Sequence, residues 1–444
     1  MFNNDDNIVA VATTPSNASA LNVVRCSGKR VFDIYKKLTL KKNNPKPNSA
    51  YLCSLYGSKK RLIDKGVVVA FKGPNSFTGE DIVEYSVHGG SIVLNSLIDE
   101  LVGLGCRLAE PGEFSYRAFI NGKIDLIQAE SINSLIKANS NLEAQFSLNS
   151  LLGGLSVHIE KNTKKLTNII LHLEHELDFN DNEIDFIEKK QSIKTIEALH
   201  REASLLLSSS FIASSNNNIS VCLAGKTNVG KSSLFNQLLG EQRAIINREP
   251  GTTRDMLSEA LEVENNQITL IDTAGVRETA NTIEKQGILK TKKAIEKSSV
   301  LIFVDDKNPK KEFKNLKIKH QNVLFVHNKK DQMSKQTKKD VVYTSCKNNF
   351  GIPHLLTKLS TAVLKIQEDF YTNKSFLLNR RQKNSLVAYL KSLEEAIKAY
   401  NKTEDPSIFV NSLYKSLDLL TSTTKPIEKK TLLNGVFAEF CVGK

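Results

Sequence analysis

Tryptophan is absent from this 444-residue chain, and proline (10) and glycine (22) are sparse. Collagen-like and proline-rich architectures are thereby excluded. No run of about 18 apolar residues occurs, so a membrane-spanning helix is not expected. The stretch Met1 to Asp6 is polar and acidic, unlike the basic and then apolar start of a secretory signal, which makes a cytoplasmic location the default expectation. The six cysteines (Cys26, Cys53, Cys106, Cys222, Cys346 and Cys441) are scattered and form no C-x-x-C pair. That spacing predicts neither a disulfide framework nor a zinc cluster. What is present is an ordinary globular composition, 40% hydrophobic and 25% charged, on a chain long enough for about three domains. Lys and Arg number 61 against 48 Asp and Glu, a net charge of +13. Such an excess admits a polyanionic partner and equally serves solubility.

Patterning divides the chain. Residues 1–122 mix strand-like runs (Ile8 to Ala12, Val67 to Phe71, Ile82 to Val87) with a helical stretch, Ser91 to Gly103, and predict an α+β domain. Residues 123–215 are helical, with Leu166, Ile169, Ile170 and Leu173 on one face. Residues 216–371 carry a new α/β pattern. Residues 372–444 return to helix, with Leu386, Leu390, Leu393 and Ile397 aligned. The two helical segments are either separate domains or one domain split by an inserted α/β unit. The insertion is preferred, because each apolar face needs a partner.

The densest chemistry lies in the α/β segment. Gly225-Lys226-Thr227-Asn228-Val229-Gly230-Lys231-Ser232, followed by Ser233, stands between an apolar run and a helical run. That is the context of a phosphate-binding P-loop. Its glycines let backbone N–H groups wrap phosphates, Lys231 reaches them, and the Ser232 hydroxyl is placed for Mg²⁺. Asp272 ends a strand in D-T-A-G, where it suits Mg²⁺ and where Gly275 can meet a γ-phosphate. Gly251-Thr252-Thr253-Arg254 lies where a switch threonine belongs. Asn328-Lys329-Lys330-Asp331 is an N-K-x-D sequence. The Asp331 carboxylate can accept from both guanine N1–H and its exocyclic amine. Ser345-Cys346-Lys347 supplies the last base-side loop. Motifs in this order predict GTP binding and resemble the translation-factor-like GTPases. Val276 stands where many GTPases carry a water-orienting Gln, so another group must position water.

Beyond the α/β segment, the resemblance is to the MnmE (TrmE) family of bacterial and organellar tRNA modification GTPases. It is carried by Gly73 to Asp81, His88-Gly89-Gly90, Pro111 to Phe119, Asn121 to Leu126, Asp178-Phe179, Glu183 to Phe186 and the terminal Cys441-Val442-Gly443-Lys444. The resemblance implies an N-terminal domain that binds 5-formyl-tetrahydrofolate and forms a homodimer, with Arg25, Glu80 and Lys123 where folate contacts lie. It implies a helical domain split by a Ras-like G domain. It implies K⁺ held by Asn228 and by Asn247, Glu249 and Thr252, Mg²⁺ held by Ser232 and Thr253, a water-orienting Glu284, a switch arginine at Arg277, and a modification role for Cys441. The implied partners are tRNA and the flavoprotein MnmG, in a heterotetramer, with FAD and NADH belonging to MnmG. The implied reaction adds an aminomethyl-type group to carbon 5 of a wobble uridine, and no membrane is involved. Two positions depart from the usual family pattern: Asn247 where a Thr is common, and Cys346 where an Ala is common. A ribosome-assembly GTPase is the main rival reading, but the tail lacks the G-x-x-G of an RNA-binding KH module. A folate-dependent transferase with an incidental GTPase is the second.

Overall fold

Alternating apolar residues in the first segment build a sheet with two unlike faces. The computed structural model describes residues 5–13, 19–179, 186–212, 219–241, 257–263, 266–272, 294–316, 319–332, 340–371, 375–403, 405–425, 437, 440 and 443. In it the chain divides into two compact units. The first holds Met1–Lys137, Phe146–Ser210 and Leu378–Lys444, and the second holds Ala138–Gln145 and Phe211–Leu377.

The first unit begins with β1 (Asn7–Val11), β2 (Leu21–Ser27), α1 (Val31–Thr39), β3 (Ala50–Tyr56), β4 (Leu62–Phe71), β5 (Ile82–His88), α2 (Ser91–Gly103), β6 (Cys106–Leu108) and α3 (Glu113–Ile120). The strands form one sheet in the order β3-β4-β5-β2-β1-β6. Val9, Val24, Cys26, Val83, Tyr85 and Val87 face α1 and α2 in a common core. Their neighbours Ile8 and Ala10 point the other way and pack with Ala109 and Phe114 of the α3 region. Cross-strand register sets Arg25 of β2 opposite Glu84 of β5, so both occupy this second face.

Helices α4 (Leu126–Ile136), α5 (Asn141–Leu151), α6 (Gly154–Phe179) and α7 (Phe186–Ser208) follow. Asp125 starts α4 with a capping box: its carboxylate accepts from Gln128 N, and the Gln128 side chain accepts from Asp125 N. The chain then passes through β7 (Ser210–Ile212) into the second unit.

That unit contains β8 (Ile219–Gly225), α8 (Lys231–Glu241), β9 (Leu257–Val263), β10 (Asn266–Asp272), β11 (Val300–Asp305), α9 (Pro309–Asn315), β12 (Val323–His327), β13 (Val342–Tyr343) and α10 (Ile352–Tyr371). Its sheet runs β13-β12-β11-β8-β10-β9. β8 lies parallel to both β10 and β11, and only β9 is antiparallel to its neighbour. Val221 and Leu223 face α8 and α10, whereas Cys222 and Ala224 face the opposite layer with Phe303 and Phe313. A strand covered on both sides needs a continuous apolar run, which is what β8 carries. Its C-terminal end opens at the top of the sheet, where ligands of such folds bind.

The chain returns through β14 (Phe376–Leu378), which pairs with β7. It ends in α11 (Arg380–Thr403) and α12 (Pro406–Thr421). α11 packs against α12 and α7, and α12 against α6. Arg381 at the start of α11 grips Glu130 of α4 with two bonds, 2.6 and 2.8 Å, and also donates to the carbonyl oxygens of Ser422 and Thr423. The last described residues return to the N-terminal region. Phe437 and Phe440 are buried among Leu126, Ala129, Tyr116 and Phe119.

Candidate functional site

The P-loop begins where β8 ends. Gly225 adopts a positive φ of 149°, and a Cβ there would come within 2.0 Å of the Val304 carbonyl oxygen, so only glycine fits beside β11. Asn228 and Gly230 also turn with positive φ, and α8 starts directly at Lys231. This directs the first N–H groups of a helix at the loop's concavity. Lys231 is buried and donates to the carbonyl oxygens of Gly225 (3.0 Å) and Lys226 (2.6 Å). Burial pushes its pKa below the ordinary lysine value, with Asp272 pulling it back up. A phosphate in the loop would add further counter-charge beside this ammonium.

Ser232 Oγ donates to Asp272 Oδ2 at 3.0 Å. β10 thus delivers its terminal carboxylate to the first turn of α8. A hydroxyl and a carboxylate oxygen in contact are hard donors of the kind Mg²⁺ takes together with phosphate oxygens, so the described donors fit that ion.

The base-reading side rises from β12. Asn328 Nδ2 donates to the Val229 carbonyl oxygen at 3.0 Å, tying the reader to the P-loop. Thr344 Oγ1 and Cys346 Sγ both lie against Asn328 Oδ1, at 3.2 and 3.7 Å. Lys329 Nζ donates to the Asn228 carbonyl oxygen (2.8 Å) and pairs with Asp306 (2.9 Å). Ser345 Oγ donates to Asp331 Oδ1 at 2.7 Å, which holds the carboxyl below its usual range and ready to accept from guanine. The structure therefore brings together Asn228, Val229, Gly230, Lys231, Ser232, Ser233, Asp272, Asn328, Lys329, Asp331, Ser345 and Cys346. Asn247, Glu249, Thr252, Thr253, Gly275, Arg277, Glu284 and Cys441 lie outside the described residues.

A second cluster occupies the outer sheet face of the first unit. Arg25 Nε pairs with Glu84 at 2.7 Å, and its guanidinium carbon lies 5.9 and 5.8 Å from the ring centroids of Phe77 and Phe114. Glu80 accepts from Ser27 Oγ at 2.8 Å and from Arg117 Nη1 at 3.0 and 3.2 Å. Lys123 is exposed, and its stem runs so close to Gly79 that a Cβ there would come within 3.3 Å of Lys123 Cγ. An acceptor carboxylate, a guanidinium over aromatic rings and an exposed ammonium are of the chemistry that the donor edge, ring and anionic tail of a reduced folate would need.

Sequence reasoning assigned no role to Ser27, Thr78, Glu113 or Arg117. One signal was available: Glu113 and Arg117 are opposite charges at i and i+4 on a helix whose other residues are Phe, Ser, Tyr, Ala, Phe and Ile. Among the described residues no helix is long and apolar enough to cross a membrane.

Two family models together match most of the chain. The family model "GTP-binding protein TrmE N-terminus" matches residues 7–123, and "MnmE helical domain" matches residues 126–441. The chain is 34% identical to tRNA modification GTPase MnmE of Aquifex aeolicus over 453 residues, covering 98% of this chain and 99% of that protein. It is 34% identical to tRNA modification GTPase MnmE of Thermotoga maritima over 464 residues, covering 99% and 100%. Among solved structures, the G domain of the T. maritima FeoB iron transporter aligns with 33% of the chain and 99% of that domain, at 22% identity and a TM-score of 0.26, too low to carry an inference. With relatives matched from end to end at this identity, the chain belongs to the MnmE family of tRNA modification GTPases.

Proposed function

We propose that this GTPase modifies carbon 5 of the wobble uridine of certain tRNAs, adding an aminomethyl or carboxymethylaminomethyl group. It works with the flavoprotein MnmG in a heterotetramer, and the FAD and NADH belong to that partner. The observation that carries the reading is that one chain holds both the phosphate- and base-side residues of a guanine-nucleotide site and, in its other unit, the Glu80 cluster. A plain GTPase switch has no use for the second.

Each residue has a part in this reading. Lys231 and the α8 N-terminus bind the phosphates, and Asp331 with Asn328 reads the guanine. Ser232, Thr253 and Asp272 hold Mg²⁺, which neutralises developing charge on the phosphates when bound. Asn228, Asn247, Glu249 and Thr252 hold K⁺, which supplies the positive charge that an arginine finger supplies elsewhere. Glu284 orients the attacking water, and Arg277, the switch II arginine, is a second catalytic residue. Arg25, Glu80 and Lys123 bind 5-formyl-tetrahydrofolate, the source of the one-carbon unit. Homodimerisation is through the N-terminal domain, and Cys441 positions the modification chemistry. The nucleotide cycle drives a conformational change coupled to modification.

The test is nucleoside mass spectrometry on tRNA from a strain lacking its own family member and carrying this gene, intact or as Cys441→Ser. Return of the modified wobble uridine with the intact gene is expected, together with its loss in the Cys441→Ser strain. A well-expressed intact protein, supplied with its cognate flavoprotein, that restores nothing would sink the reading.

A further inference from the structure

The segment Pro111 to Phe119 takes no part in the nucleotide site, and none of its residues is among the folate contacts named above. Yet α3 buries two opposite charges, Glu113 at 0% and Arg117 at 1% exposure. A buried ion pair is a weak stabilising device, since apolar residues of similar volume commonly do as well or better. Its connections give it another purpose. Asp6 and Arg107 meet near the surface at 2.8 Å. Arg107 grips both oxygens of Glu113, at 2.6 and 2.8 Å. Glu113 Oε1 then accepts from Arg117 Nη2 at 3.0 Å. Arg117 Nη1 donates to the Asp6 carbonyl oxygen at 2.8 Å and to both oxygens of Glu80, at 3.2 and 3.0 Å. Burial raises the pKa of the Glu113 carboxyl, but bonds from Arg107, the Glu110 backbone and Arg117 outweigh it and leave the pKa below its ordinary value. The row of alternating charge thus runs inward and emerges at Glu80.

Glu80 is further held by Ser27, which is fully buried and bonded to Thr78 Oγ1 at 2.7 Å. Among the described residues Oε2 accepts from Ser27 and Arg117, and Oε1 from Arg117. A carboxylate offers about four acceptor sites, so the unused capacity lies on Oε1.

We propose that Arg117 is a positioning residue of the folate pocket: it fixes the Glu80 carboxylate so that Oε1 receives an N–H of the ligand's aminopyrimidinone ring. This rests on the folate reading of the pocket, and one experiment separates the two. Isothermal titration of the full-length protein with 5-formyl-tetrahydrofolate tests that reading first, and no binding by the unaltered protein ends both. Arg117→Lys keeps the charge but has a single nitrogen for acceptors on three residues, and it is expected to weaken binding roughly 10- to 100-fold. Glu80→Gln is expected to lose a similar amount. The double variant should be no weaker than Glu80→Gln alone, because Arg117 acts through Glu80. Arg117→Met combined with Glu113→Leu removes both buried charges. It also strips bonds from Arg107, Glu80 and the Glu110 N–H and is expected to melt lower. Its affinity is therefore read well below its melting temperature, where a loss is expected and a merely structural Arg117 would leave binding unchanged. Unaltered binding in Arg117→Lys, or independent losses that multiply in the double variant, would overturn the proposal while leaving the folate reading standing.

Discussion

At the residue scale the nucleotide site is built from side chains bonding to backbone. Asn328 holds the P-loop through the Val229 carbonyl oxygen, and Lys329 holds it through that of Asn228. Base reader and phosphate cradle are therefore one piece, and both ties use backbone oxygens, not the side chain of Asn228. Its φ of 63° is a conformation that Asn tolerates and glycine adopts freely. Asn228→Gly therefore removes the side-chain oxygen without straining the loop, whereas Ala would confound the result. If that oxygen binds K⁺, hydrolysis by the unaltered protein should run at least roughly 10-fold faster in potassium than in sodium chloride, on the reasoning that a cation replaces an arginine finger. Asn228→Gly should abolish the difference. Equal rates in the two salts for the unaltered protein would remove the case for a potassium site.

At the element scale, helix starts and tight approaches decide what docks where. Gly112 precedes α3 with a φ of 70°, and a Cβ there would come within 2.4 Å of the Phe437 carbonyl oxygen. Gly112→Ala should therefore cost about 1–3 kcal/mol of local strain and loosen the docked aromatic residues. Faster carboxypeptidase trimming of the C-terminus would register it, and unchanged trimming would count against the docking. Much at this scale was legible beforehand. Ser91 to Gly103 is helical as its periodicity predicts, and β1, β4 and β5 fall on the apolar runs. The β8–loop–α8 unit could be read from glycine spacing, because a phosphate loop needs those backbone angles. β2 and β3 do not read as strands, since Asn22, Arg25, Ser27 and Ser54 break up their apolar runs. Arg25, Ser27 and Ser54 stand on the sheet face away from the Val24–Cys26 core, whereas Asn22 is buried and donates to the Gly89 carbonyl oxygen; Arg25 and Ser27 belong to the candidate site. β14 was likewise read as helix: Phe376 to Leu378 is too short for periodicity to distinguish the two states. The Glu80–Arg117 contact spans 37 positions and the Arg381–Glu130 contact 251. Nothing in a single sequence pairs charges so far apart.

At the scale of the whole molecule, the two candidate ligand sites draw their described residues from different units. Asn228 through Cys346 belong to the second unit, and Arg25, Glu80, Arg117 and Lys123 to the first. A ligand that binds only a folded unit stabilises that unit, by about 2.7 kcal/mol at a hundredfold excess over its dissociation constant. For bodies of this size that corresponds to a shift of roughly 5–10 °C. Calorimetry of the full chain should then show two transitions. GDP with Mg²⁺ is expected to raise one of them, and 5-formyl-tetrahydrofolate the other. The interrupted first unit makes this a demanding test, because its segments before and after the insertion meet only in the folded state. Arg381 of the returning chain anchors to Glu130 of the outgoing one, and Leu126 N donates to the Thr424 carbonyl oxygen at 3.0 Å. Two transitions therefore require that melting of the first unit frees the ends of the inserted segment while the inserted sheet stays folded. If each ligand instead moves a single common transition, the chain unfolds as one cooperative body, and binding at either site raises the stability of the whole.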